Sequence, residues 1–127
     1  MIRVYVASPY TLGDSALNVR RQIDKFEELS RLGFAPFNPL YAHFHHMFYP
    51  RTDDEWLQWD FEWLKVADCM LRLPGKSRGA DEEEKVAKEN NIPIYFSLKD
   101  LCAHYGIKYV KDERLNEIED RVNGTNL

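Results

Sequence analysis

The chain has 127 residues, enough for one domain with a single substantial core and too few for two. Its 17 Lys and Arg stand against 21 Asp and Glu, a net charge of −4. That excludes the clustered-cation surface on which sequence-independent binding of nucleic-acid polymers runs. A small phosphorylated ligand stays open, because backbone N–H groups can hold one without net positive charge.

Strand-like and helix-like patterns alternate along the chain. Residues 2–7 are β-branched and aromatic and predict a strand, broken by Ser8-Pro9-Tyr10 and Gly13. Asp14 or Ser15 can cap a helix whose apolar positions Val19, Ile23, Phe26 and Leu29 keep helical spacing, with Gly33 as its stop. A short strand, Phe34 to Phe37, ends at Asn38-Pro39. Residues 41–49, aromatic and rich in histidine, read as an irregular loop closed by Pro50. Thr52 or Asp53 can cap a second helix running to about Lys65.

Ala67 to Leu73 predicts a third strand, closed by Pro74-Gly75. A helix follows from Ala80 to Glu89, then a fourth strand from Ile92 to Phe96. Asp100 to His104 reads as a short helix, Ile107 to Val110 as an edge strand, and Asp112 to Val122 as a last helix before a frayed tail. This alternation predicts one α/β domain over residues 1–127. Its architecture would be a three-layer α/β/α, Rossmann- or flavodoxin-like arrangement around a four- to five-stranded, mostly parallel sheet. Ligands of such sheets bind beyond the carboxyl ends of the strands, where strand order reverses. Ser8 to Thr11, Asn38 to His46 and Pro74 to Gly79 are thereby expected around one cleft.

No apolar stretch approaches the roughly 20 residues that span a bilayer. The opening residues form a strand pattern rather than a signal peptide, so a cytosolic chain is expected. Cys69 and Cys102 have no metal-binding spacing and read as small buried apolar residues. His43, His45 and His46 make no standard metal spacing with nearby acids, so neither metal nor cofactor is expected.

Two carboxylates carry the chemical signal. On a helix, Ala80, Glu83, Val86 and Ala87 share one face, while Glu82 and Glu84 point away by roughly 100° each. One of three consecutive glutamates thus lies on the inward stripe, one turn from Pro74-Gly75-Lys76-Ser77-Arg78-Gly79. That turn suits an anion, with helix N–H groups, the Ser77 hydroxyl and Arg78 as donors. Asp60 repeats the pattern on the stripe of Trp56, Trp63 and Leu64. Two inward carboxylates beside an anion site fit glycosidic cleavage, in which one attacks the anomeric carbon and the other manages the leaving-group proton. Asp68, at the entrance of the third strand, reads as structural. Asn38 and His43 are candidate substrate contacts, with Tyr41, Phe44 or Phe48 available to stack on a base.

These stretches resemble the nucleoside 2-deoxyribosyltransferase superfamily and, within it, the deoxynucleoside 5′-monophosphate N-glycosidases. Val4 to Tyr10 is similar to the family's first strand and ligand loop. Residues Asp60 to Asp68 are similar to the segment carrying its catalytic aspartate, and Ser77-x-Gly79 with Glu83 and Ala87 to the motif carrying its nucleophile. Together they span most of residues 4–96. The resemblance implies Glu83 as nucleophile and Asp60 as proton manager, with Ser77, Gly79, Arg78 and Ser8 at a 5′-phosphate. Free-nucleoside transferases tend to carry an acid at the position of Ser77, so a nucleotide substrate is implied. The family often sets a first-strand tyrosine beside the nucleophile. The register puts Val4 there, leaving Tyr10, or else Tyr5, to supply the phenol. Family sites are often completed by a neighbouring subunit, so a homodimer or higher oligomer is implied, with residues 41–63 suited to the interface.

Overall fold

The computed structural model describes residues 1–110. The helix expected from Asp112 to Val122 and the tail after it lie outside the described residues. Four strands form one sheet: β1 (Arg3–Ala7), β2 (Ala35–Phe37), β3 (Cys69–Arg72) and β4 (Ile94–Tyr95). All pairs are parallel and the order is β2-β1-β3-β4, so strand order reverses between β1 and β3. β2 is an edge strand, which is why it tolerates Pro36 opposite Val4.

Among the described residues there are five helices: α1 (Ser15–Arg31), α2 (Ala42–Phe48), α3 (Asp53–Leu64), α4 (Arg78–Glu89) and α5 (Leu98–His104). Alternation along β1 and β3 divides the core in two. Val4, Val6, Cys69 and Leu71 pack on one face with Leu29, Phe34, Leu98 and Leu101. Tyr5, Ala7 and Met70 pack on the other with Leu64, Ala80 and Ala87. A buried side chain of this size stabilises the fold by about 1.5–3 kcal/mol. The result is the expected three-layer, flavodoxin-like α/β/α architecture, with four strands among the described residues.

Capping chemistry sets where the helices begin. Asp14 caps α1 by accepting from the Leu17 N–H at 3.1 Å. Thr52 and Glu55 form a reciprocal capping box at α3, a device that contributes about 1 kcal/mol. Ser77 caps α4 and starts it two residues before the expected Ala80. No helix among the described residues is long and apolar enough to cross a membrane.

Two expectations are corrected. Residues 41–49 are not an irregular loop: a 3-10 turn at Pro39–Tyr41 leads into α2. Ile107 to Val110 forms no edge strand; the chain there is irregular, and among the described residues β4 is the last strand of the sheet.

The loops after β1 and β3 meet at Gly75. Its φ is +120°, and a Cβ placed there would lie 2.7 Å from Pro9 Cγ. Gly75→Ala therefore meets both backbone strain and a clash with a rigid ring. The expected result is a loss of roughly 1–3 kcal/mol of stability by urea denaturation. A loss below a few tenths would show that the two loops separate freely.

Candidate active site

A cavity of about 490 Å³ opens at the carboxyl ends of β1 and β3, at the reversal of strand order. The loop after β1, residues 39–43, the start of α3 and the β3–α4 turn enclose it. Its size falls within the range of small-molecule sites.

Glu83 and Asp60 both line this cavity, one turn inside α4 and two turns inside α3. Glu83 is only 5% exposed. The Tyr5 hydroxyl, rising from β1 beneath it, donates a hydrogen bond to Glu83 Oε2. Burial drives the Glu83 carboxyl up from 4.5 to about 8; the Tyr5 hydrogen bond and the charge of Arg72 oppose this, and the charge of Asp60 adds to it. Burial likewise raises Asp60 from 3.8 to about 7. Burial, then the charges of Glu83 and Asp60, raise the Tyr5 phenol well above its usual value and keep it a donor. The floor is thus a pair of carboxyls poised around neutrality, with one held by a phenol.

Tyr5 fills the position beside Glu83 that the sequence left to Val4, Tyr10 or Tyr5. Val4 points to the opposite face of the sheet, among Val6 and Leu29. Tyr10 lines the cavity but its hydroxyl pairs with His43 Nδ1, away from the carboxylate. Tyr5→Phe keeps the ring stacked on Phe37, 5.7 Å away, and deletes only the donor. The Glu83 titration, followed by carboxylate infrared bands, is expected to move above about 8. No movement would mean that the phenol does not hold the charged form.

The opposite wall is built for an anion. Ser77, Arg78, Gly79 and Lys76 line it at the start of α4, where helix N–H groups and dipole favour negative charge. Ser77 Oγ accepts from the Ala80 N–H at 3.1 Å, which caps the helix and leaves its O–H free to donate. Ser8 is arranged alike, accepting from Gln22 Nε2 at 2.8 Å. Arg78 reaches across to Asp54 at 3.1 Å on the exposed rim, while Gly79 of α4 lies beside Leu57 of α3.

The third wall comes from α2 and α3. His43 and His46 line it, one turn apart, with Trp56 and Asp53. His46 Nδ1 accepts from the Trp56 indole at 2.9 Å and from the Arg51 N–H at 3.1 Å, so the ring is fixed. Asn38 does not line the cavity. It is buried, and its amide donates to the Gln22 carbonyl at 2.6 Å, tying the loop after β2 to α1. Asp68 accepts from the Arg3 N–H and guanidinium, which hold its carboxyl below the usual range, so it closes the strand entrance outside the cavity.

Trp56, Asp53 and Gln22 were not singled out from the sequence as site residues, whereas His46 and Lys76 fall inside the stretches expected around the cleft. Trp56 stands one turn before Asp60 on the same stripe, which was a readable signal. Gln22 gave none: its buried amide bridges Val6 and Ser8, at the end of β1, to Leu40 after β2, segments far apart in sequence.

No protein-family model matches the chain, and no curated protein matches it. Among solved structures it is similar to a 2-deoxyribosyltransferase from the psychrotolerant bacterium Bacillus psychrosaccharolyticus. That likeness has a TM-score of 0.51 and 20% identity, and covers 72% of this chain and 69% of that chain. At this identity the likeness establishes the shared α/β fold.

Proposed function

We propose that the chain is an N-glycosidase that cleaves the base–sugar bond of nucleoside 5′-monophosphates. The observation that carries the reading is the carboxyl pair Glu83 and Asp60 at the floor of a cavity whose wall is the start of α4. A binding module gains nothing from burying two acids, whereas glycosidic cleavage needs both. The likeness of its fold to that of a 2-deoxyribosyltransferase supports the reaction class.

In the proposed reaction ionised Glu83 attacks C1′. The C1′–N bond breaks, its electron pair leaves with the base, and Asp60 gives the base a proton. A glycosyl ester on Glu83 results. Water then attacks C1′, its proton returns to Asp60, and Glu83 departs as carboxylate, so the anomeric configuration is retained. Ser77, Ser8 and the first N–H groups of α4 hold the 5′-phosphate. His43, His46, Tyr10 and Trp56 form the wall against the base. A second base in place of water would turn hydrolysis into deoxyribosyl transfer, a reading that the solved neighbour favours. Exposed Tyr41, Phe44, Met47, Phe48, Tyr49, Trp59 and Trp63 form an apolar surface beside the cavity, which supports a second copy of the chain covering this face.

The test is base release from ribo- and deoxyribonucleoside 5′-monophosphates and the matching nucleosides, with and without added acceptor base. Free base and sugar phosphate are expected from the monophosphates. Product only with acceptor base would make the protein a transferase, and no turnover of any substrate would sink glycosidic cleavage. Ser77→Asp is expected to raise the KM for monophosphates by roughly a hundredfold, through charge repulsion at the helix start, while sparing free nucleosides. Equal losses on both would remove the phosphate from this turn.

A further inference from the structure

Three consecutive carbonyls leave β3 at the turn into α4, and each is taken by a buried guanidinium. Arg72 donates to the Leu73 and Gly75 carbonyls, the latter at 2.9 Å, and Arg21 of α1 donates to the Pro74 carbonyl at 2.7 Å. Arg21 is 2% exposed and Arg72 is 7% exposed. Neither lines the cavity, so neither can touch a ligand in it. Arg72 is further tied to Asp81 at 3.3 Å and to Glu84 at 3.7 Å. Burying guanidinium groups is costly unless their hydrogen bonds accomplish something that apolar packing would not.

The peptides of this turn are trans, so the Pro74 and Gly75 carbonyls point opposite to the Gly75 and Lys76 N–H groups, while Pro74 has no N–H to pair with the Leu73 carbonyl. Carbonyls drawn onto Arg21 and Arg72 leave the N–H edges on the other side, where Lys76 and Ser77 line the cavity. Carbonyl oxygens facing that way would repel an anion.

We propose that Arg21 and Arg72 are positioning residues for phosphate: from behind, they hold the β3–α4 turn in its anion-accepting orientation and so set the preference for phosphorylated over free nucleosides. This rests on the reading of the turn as the phosphate subsite. It adds that α1 shapes that subsite through Arg21, which does not itself line the cavity. Along one side of α1, Asn18 holds the Tyr10 and Leu12 carbonyls, Arg21 the Pro74 carbonyl, and Gln22 the Ser8 hydroxyl. The loops after β1 and β3 therefore take their shape from one polar stripe.

Arg21 is the diagnostic residue, because Arg72 also acts on Glu83 by its charge. Inorganic phosphate titrated into the wild-type protein, followed by amide nuclear magnetic resonance, is expected to shift the N–H signals of Lys76, Ser77, Arg78 and Gly79. Failure of these amides to respond would overturn the proposal without any variant. Arg21→Lys, which keeps the charge but loses the planar fork, and Arg21→Gln are then compared by steady-state kinetics. The KM for a deoxynucleoside 5′-monophosphate is expected to rise roughly tenfold, with kcat and the inhibition constant of the free nucleoside nearly unchanged. A parallel loss for both ligands would show that Arg21 merely supports the fold and would overturn the proposal. If wild type turns over no nucleotide but phosphate shifts those amides, glycosidic cleavage fails while the assignment of the turn stands. Should Arg21→Gln not fold, Arg21→Lys and the amide titration still decide.

Discussion

Glu83→Gln is expected to lower base release by roughly 10⁴-fold while making the protein more stable at alkaline pH. The activity loss follows from chemistry: an amide cannot attack C1′ and leave again as a carboxylate. The stability gain follows from burial. The carboxyl titrates at about 8 in the folded protein, against 4.5 for an ordinary glutamate. Between those values the folded state binds more protons than the unfolded state, so this group's contribution is fully present below about pH 4.5. It falls away as pH rises through about 8. Glutamine does not titrate and can still accept from the Tyr5 hydroxyl. Denaturant melts at pH 9 are therefore expected to favour the variant by on the order of 2–5 kcal/mol, and melts at pH 4 by little. An inactive variant with no pH-dependent gain would mean that Glu83 is not buried in the charged state.

Asp60→Asn is expected to cost roughly 10²–10³-fold, and to change the shape of the pH profile. With carboxyls poised at about 7 and about 8, wild type needs one proton on the pair. Below that window both are protonated and the nucleophile is lost; above it both are ionised and the base departs without a proton. The profile of kcat/KM is therefore a narrow bell centred between the two values, whose limbs belong to the pair rather than to either residue. Asparagine removes the alkaline limb. The acid limb is kept and is set by Glu83 alone, because on that side of the window Asp60 is protonated and lends Glu83 no charge. Bases that leave readily as anions are expected to lose least. An unchanged bell in Asp60→Asn would assign the proton to another group.

The parts of this design that follow helical spacing were legible in the sequence. Glu83 falls on the stripe of Ala80 and Ala87, and Asp60 on that of Trp56 and Leu64, and both line the cavity. Parallel β/α alternation likewise located the loops that gather there. Tyr5 needed more, because which residue of β1 stands under Glu83 depends on the register between strand and helix, a relation across 78 positions. The helix α2 was hidden because Tyr41 supplies no side-chain cap and its residues, aromatic and histidine, are indifferent helix formers. Asn38 appeared at the cleft because its loop is there, yet its side chain turns inward to α1. Most concealed was the polar stripe of α1. Asn18, Arg21 and Gln22 lie off the apolar spacing of that helix, and only the backbone carbonyls of distant segments explain why they are buried.

The alternation of β1 bears on how this sequence can drift. Five residues serve two neighbourhoods at once: Val4 and Val6 fit among aliphatic side chains on one side, and Tyr5 donates to Glu83 on the other. Point substitutions at Val4 or Val6 that keep size and greasiness leave the reaction alone. Inserting or deleting a single residue within the strand reverses the two sides together, putting an isopropyl group beneath Glu83 and a phenol among Leu29 and Phe34. Changes of length are therefore barred from this stretch and confined to the turn that follows it, so the spacing from Tyr5 back to the start of the strand is a more durable signature than any residue flanking it.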